Sequence, residues 1–328
     1  MELELLGSLR GRKLTLWTEF LRRAGLDPDP GVTRTALVWE NGELVATGSR
    51  QGNLLKCIAV DEDRQGEGLT ATLISALRQD AFREGHRHLF LYTKPRNAYQ
   101  FTSLFFYPIA QTSQVLLMES QKDGVRDFVN SLPVPEGEGV IGAAVMHYNP
   151  FTLGHRYLIE TAAAECDRMY VFVLSEDGGQ FSPEDRMAMV KAGTADLKNV
   201  TVLPTGPYLI SSATFPTYFL KEKDRLPQIQ CELDIAVFTR YFAPKLGIRR
   251  RYVGTEPLSP STEQYNRALK QQLPPAGIEL RELPRLENGS GPVSASAVRR
   301  ALEAGDADAL SRLVPETTLA HLKARGYL

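Results

Sequence analysis

One stretch constrains this chain more than any other. Residues 139–146, GVIGAAVM, form an unbroken run of apolar and glycine residues, the pattern of a strand buried on both faces. The loop HYNPFTLG follows. It leads into HRYLIETAAAECD, where Leu158, Ile159, Ala162, Ala163 and Cys166 share one helical face. RMYVFVLS, residues 168–175, reads as the next strand. Strand, crossover helix and strand make a βαβ unit, and such a unit requires a parallel sheet. The alternation continues with a helix over 184–192, strands at NVTVLP, LDIAVF and RRYVG, and a helix at SASAVRRALEAGD ended by Gly305. The expectation is a doubly wound, parallel-sheet, Rossmann-like α/β domain.

The N-terminal half is patterned differently. Leu14, Trp17 and Leu21 fall at helical spacing, and Asn41-Gly42 between two strand-like runs predicts a hairpin. Strands are expected at 54–60, 88–94 and 114–119, with helices at 69–82 and 97–106. This is a mixed α/β unit. Between the halves lies SLPVPEGEG, whose two Pro and two Gly suit neither a helix nor a central strand. The expected division is therefore 1–130, a linker at 131–139, and 140–328. A length of 328 residues agrees with two domains.

Charge and cysteine content exclude several classes. With 38 Lys+Arg against 39 Asp+Glu, the chain lacks the positive excess of a general nucleic-acid binder. Cys57, Cys166 and Cys231 are odd in number and far apart, so neither zinc nor C-x-x-C chemistry is expected, and no metal ligand set is assigned. They read as buried reduced thiols. No signal-peptide pattern and no apolar run long enough for a membrane span is found, so a cytoplasmic protein without membrane or nucleic-acid partners is expected.

Two places invite phosphate. Thr152-Leu153-Gly154-His155 sits where the buried strand turns into a helix, at the edge of a parallel sheet that binds ligands. Helix-start N–H groups, close approach at Gly154 and a donor on His155 suit an anion, and Pro150 stiffens the approach. Ser294 and Ser296 precede a second helix with Arg299 in its first turn, a convergence of hydroxyls and guanidinium. Plain helix capping is the competing reading at both places. Arg186 reads either as a phosphate or substrate contact or as a surface partner on its own helix. Thr255 and Glu256, after the strand RRYVG, read as an adenosine contact or as a turn.

NPFTLGH followed by SASAVR resembles the nucleotidyltransferase superfamily with an H/T-x-G-H motif and a Ser-rich x-x-R motif. Adding FSPEDRMAMVKAG, TGPYLISSATFPTYFLK and RYVGTEPLSPSTEQYN, the second half is similar to the citrate lyase ligase family. That resemblance implies catalytic roles for Thr152, His155 and Arg299. It implies ATP contacts at Asn149, Pro150, Phe151, Gly154, Ser294, Ser296, Thr255 and Glu256, and substrate contacts at Tyr208, Ser211, Ser212, Thr214 and Arg186. It also implies ATP with Mg²⁺ carried on its phosphates, and acetate activated as acetyl-AMP with release of pyrophosphate. The acetyl group then passes to the dephospho-CoA-derived thiol of the citrate lyase acyl carrier subunit. His147 departs from the family pattern, where Asn is expected. The alternative is a nucleotidyltransferase adenylylating a phosphopantetheine- or mononucleotide-type substrate.

In the first half, DRQGEGL resembles the pyrophosphate loop of the GNAT acetyltransferase fold, which implies a CoA-like arm at Gly66 and Gly68. Asp63 departs from the usual Gln/Arg. The same glycines match a dinucleotide fingerprint in spacing only, because DEDRQ separates them from their strand and the next strand ends in Tyr92-Thr93-Lys94. His86, His88 and His321 are expected at the surface.

Overall fold

The computed structural model describes the chain except residues 135–138, 178, 210–214, 222–224, 256–259 and 289–290. It forms two compact units, Met1–Gly124 with Pro216–Ile229, and Val125–Phe215 with Gln230–Leu328.

The first unit contains β1 (Glu2–Leu6), α1 (Gly11–Arg23), β2 (Arg34–Glu40), β3 (Glu43–Gln51), β4 (Leu54–Val60), α2 (Leu69–Arg83), β5 (Phe90–Thr93), α3 (Ala98–Thr102), β6 (Tyr107–Gln111) and β7 (Leu116–Glu119). These strands build one sheet in the order β1-β2-β3-β4-β5-β7-β6. Asn41 and Gly42 take φ +50° and +84°, the left-handed pair that a tight hairpin between β2 and β3 requires. Leu73, Ile74, Leu77 and Ala81 of α2 pack on Ala36, Val38 and Ala46 of the sheet. β4 and β5 are parallel and pair only at Leu54–Phe90 and Leu55–Leu91. Just beyond, Cys57 takes φ +51°, and Cys57 and Ile58 lie opposite Gly48 as a bulge. The two strands then diverge around a cavity of about 900 Å³. β1 and β6 were outside the sequence expectation: ELELL is too polar to signal burial, and YPIAQ carries a proline.

The second unit takes in α4 (Gly124–Ser131) from Val125 on, β8 (Ile141–Met146), α5 (Leu153–Ala164), β9 (Arg168–Val173), α6 (Pro183–Gly193), β10 (Val200–Pro204) and the part of α7 (Leu226–Val237) that begins at Gln230. A π-helical turn at Phe238–Phe242 leads to α8 (Ala243–Leu246), β11 (Arg250–Gly254), α9 (Pro260–Gln272) and β12 (Glu279–Leu283). Helices α10 (Ala295–Glu303), α11 (Ala307–Ser311) and α12 (Glu316–Ala324) finish it. The sheet runs β10-β9-β8-β11-β12, with every pair parallel. The chain reverses its winding between β8 and β11, and that switch point is where such sheets bind ligands. Leu158, Ile159, Ala162, Ala163 and Cys166 are buried against the sheet, as their spacing requires. LDIAVF, expected as a strand, is helical instead, with Leu233–Val237 in α7 and Phe238 opening the π-helical turn. A short apolar run fits both periods, and over the longer segment Ile229, Leu233 and Val237 recur every fourth residue and are buried.

Two histidines expected at the surface are partly exposed and paired. His88 Nε2 lies 2.7 Å from Glu119, and His321 Nε2 lies 2.9 Å from Asp185, both carboxylates being buried. All three cysteines are buried and free. Among the described residues no helix is long and apolar enough to cross a membrane.

Candidate active site

At the carboxyl end of β8 the chain enters a tight loop. Tyr148 takes φ +52°, a left-handed conformation uncommon for a bulky residue, and its side chain is fully buried. The Asn149–Pro150 bond is cis, and Phe151 is fully buried. Thr152 then caps α5. Its hydroxyl accepts the His155 N–H at 3.2 Å, while His155 Nδ1 accepts the Thr152 N–H at 3.1 Å. This is a capping box with His in the place usually held by Glu or Gln.

The box fixes the chemistry of His155. Since Nδ1 accepts a main-chain proton, the neutral ring carries its own proton on Nε2. Burial, and secondly the charge of Arg285, lower its pKa to about 4. At ordinary pH His155 is therefore a neutral Nε2–H donor. Phe151 stacks on it at 6.0 Å, and Tyr148 meets it edge-on at 5.0 Å.

The helix start offers fewer donors than the sequence suggests. Leu153 N–H is taken by Leu313 O at 2.9 Å, and His155 N–H by Thr152. Among the described residues, Gly154 N–H meets no acceptor. A Cβ on Gly154 would lie 2.8 Å from Val293 O, so only glycine fits beneath that strand of main chain.

This contact joins the two motifs expected to meet phosphate, which are far apart in sequence. Ser294 caps α10 by accepting from Ala297 N–H at 3.2 Å. Arg299 donates to Ser296 Oγ at 3.0 Å and to Asn149 O at 2.7 Å. Asn149 Oδ1 in turn accepts from Phe181 N–H. The loop after β8 is thus clamped from two sides.

Arg186 is neither at the surface nor turned toward a ligand. It is fully buried and donates to the carbonyls of Phe181, His147, Leu174 and Glu176 at 2.5–3.2 Å. It ties the carboxyl ends of β8 and β9 together, and burial lowers its pKa. His147 Nε2 lies 2.5 Å from Glu176 Oε1 at the carboxyl edge. Thr255 follows β11. Its N–H donates to Leu283 O, and its carbonyl accepts from Arg285 Nε at 2.7 Å. Arg285 escaped the sequence reading, although an arginine two residues past a strand end at the ligand edge was the available signal. Tyr208 is buried with its ring 5.3 Å from Phe128. Ser211, Ser212, Thr214 and Glu256 lie outside the described residues.

In the first unit, Gly66 and Gly68 take φ +89° and +79°, and Gly68 is the N-cap of α2. Both line the cavity between β4 and β5, together with Lys94, Arg96, Tyr99, Tyr218 and Phe219.

Residues 141–322 match the citrate lyase ligase C-terminal domain family, and residues 10–107 match the acetyltransferase (GNAT) family. The citrate (pro-3S)-lyase ligase of Klebsiella pneumoniae is 41% identical over 309 residues, covering 92% of this chain and 90% of that protein. That of Escherichia coli (strain K12) is 39% identical over 321 residues, covering 95% and 91%. A phosphopantetheine adenylyltransferase of Staphylococcus carnosus (strain TM300) is 40% identical over only 57 residues, 17% of this chain and 35% of that enzyme. The first unit therefore has a GNAT-like fold, and the second a nucleotidyltransferase-like parallel sheet.

Proposed function

Because the chain belongs to the citrate lyase ligase family, we propose that it is an acid–thiol ligase that acetylates the thiol prosthetic group of the citrate lyase acyl carrier subunit and so activates citrate lyase. Acetate is first activated with ATP as acetyl-AMP, releasing pyrophosphate. The observation that carries this reading is likeness over nearly the whole length of both chains, with the two phosphate motifs clamped on one loop.

The chemistry is coherent. A carboxylate is a poor acyl donor. Attack of its oxygen on the α-phosphorus forms a mixed anhydride and breaks the bond to pyrophosphate. The reacting phosphate needs stabilisation of charge on its non-bridging oxygens more than covalent help. In this reading His155 donates Nε2–H to a phosphate oxygen, Thr152 orients the ring, and Gly154 N–H adds a main-chain donor. Ser294, Ser296 and Arg299 hold the leaving pyrophosphate. Asn149, Pro150, Phe151, Thr255 and Glu256 shape the nucleotide site, and Arg186 supports the loop from below. In the second step the carrier thiol attacks the acetyl carbonyl. A C–S bond forms, the C–O bond to AMP breaks, and the thiol proton leaves to solvent. Tyr208, Ser211, Ser212 and Thr214 serve the acetate or thiol side, and Gly66 and Gly68 dock the CoA-like arm.

Among the described residues no group of three or more His, Cys, Asp or Glu is placed to hold a metal ion. In this reading a magnesium ion would be carried on the ATP phosphates and water, where it would neutralise phosphate charge. Three free thiols fit a reducing cytoplasm.

Acetate-dependent exchange of pyrophosphate into ATP tests the proposal. Exchange with acetate is the expected result. The short adenylyltransferase match favours one other outcome, exchange that ignores acetate and requires phosphopantetheine, which would replace this reading.

A further inference from the structure

The cavity of about 900 Å³ in the first unit lies where β4 and β5 part, and its lining changes character across the sheet. Ala36 and Val38 face α2, whose Leu73, Ile74 and Leu77 pack on them. Leu37, between them, is fully buried on the opposite face. α1 packs against β3, and its buried Trp17, Phe20 and Leu21 stand outside the α2 cluster. The two helices therefore cover opposite faces. On the α2 side the cavity meets Gly66, Gly68 and Thr70, with Lys94 and Arg96 just before α3. Gln100 of α3 donates to Thr70 Oγ1 at 2.9 Å and holds that side together. Among the described residues, the charged side chains of the lining are Arg64, Lys94 and Arg96 with one carboxylate, Glu62. This excess of cations suits a phosphate-bearing ligand.

On the α1 side the lining is apolar: Ala24 and Leu26 past the end of α1, then Tyr218 and Phe219. These two aromatics come from Pro216–Ile229, the late segment that belongs to this unit. Both are buried, and their rings meet edge-on at 5.1 Å. Tyr218 O accepts the Asp27 N–H at 2.7 Å, so the wall is tied to main chain beside α1. Acyl transfer between two substrates needs both to reach one carbon. A cleft through a sheet allows that when it is open at both faces, and here the chain itself stands at the second face.

We propose that the first unit is a one-mouthed holding site for a phosphate-bearing thiol arm, with Lys94 and Arg96 at its anionic end and Tyr218 and Phe219 closing the end where a second substrate would enter. The unit retains the arm and its short acyl group without passing that group on. The inference deepens the reading that this unit docks the CoA-like arm, and rests on it.

Titration calorimetry of the full chain with dephospho-CoA and with its acetyl and octanoyl thioesters tests the closed end. In a cleft open at both faces, each added methylene buries apolar surface and tightens binding. Against a closed end the longer chain overpacks, so the sign reverses. Dephospho-CoA and its acetyl thioester are expected to bind alike, and the octanoyl thioester about tenfold more weakly or worse. Phe219→Ala should bring the octanoyl thioester back to within about threefold of the acetyl one. Octanoyl binding as tight as acetyl binding in the parent chain would overturn the proposal, and so would a length penalty that Phe219→Ala leaves unchanged. Transfer of acetyl from the thioester to a small amine, read as released thiol, would overturn it too. If Phe219→Ala fails to fold, the length series on the parent chain decides. No binding of any of the three ligands would remove the docking reading and the proposal together. Binding without a length penalty would leave the docking reading standing and remove the closed end alone.

Discussion

The molecule uses the same local plan twice, with opposite finish. In each unit a strand ends, a glycine-bearing loop turns, and a helix begins beside a proposed phosphate. In the second unit the turn is pinned by side chains: Thr152 and His155 cap each other, Leu313 occupies the first N–H, and Val293 and Arg299 press from the other side. In the first unit Gly68 caps α2 with no side-chain hydrogen bond, and a Cβ at Gly66 or Gly68 would meet nothing within 4 Å. The pinned loop suits a transition state, where donors must already be in position. The open loop suits an arm that arrives and leaves.

The comparison breaks most visibly at His155. His155→Ala should lower acetate-dependent exchange by about a hundredfold or more, as loss of one transition-state donor does. Unchanged exchange would remove this residue from the chemistry. Next comes Gly154→Ala, whose Cβ collides with Val293 main chain. It should destabilise the fold by roughly 1–3 kcal/mol in denaturant titrations, the scale of overpacking. A further effect concerns pH. Burial, and secondly the charge of Arg285, hold His155 at a folded pKa of about 4, below the 6.5 of an ordinary histidine. Between these values the unfolded chain binds the proton and the folded one does not, so stability rises with pH through that window and is lost as pH falls toward the folded pKa. One such group gives a slope of at most about 1.4 kcal/mol per pH unit. His155→Gln should flatten the stability–pH curve between these pKa values, and equal slopes in both proteins would contradict the assigned protonation. Smallest is Gly68→Ala, which meets open space but must hold φ +79°. It should cost about 1 kcal/mol in the same titrations. A cost equal to that of Gly154→Ala would erase the distinction between the loops.

Much of this site was legible because its signals are periodic or local. The face Leu158, Ile159, Ala162, Ala163 and Cys166 follows from helical spacing, and Thr152 lies one residue before its helix, where a cap belongs. What escaped depends on long-range contact. Nothing local says that Arg186 is buried on four carbonyls, that Arg299 reaches Asn149, or that Arg285 reaches Thr255. LDIAVF was misread because six apolar-rich residues carry too few repeats to separate the two periods. The partners of His88 and His321, Glu119 and Asp185, were not legible because a histidine's partner is set by tertiary packing.

The return of Pro216–Ile229 to the first unit has a consequence for synthesis. Tyr218 and Phe219 line that unit's cavity, and Tyr218 O accepts the Asp27 N–H at 2.7 Å. The ribosome finishes residue 124 well before it reaches residue 216. At roughly 5–20 residues per second the interval is on the order of ten seconds. During that time the nascent sheet waits with one wall of its cavity unmade, while β8, β9 and β10 emerge behind it. The first unit to be translated is thus completed only after much of the second has left the tunnel.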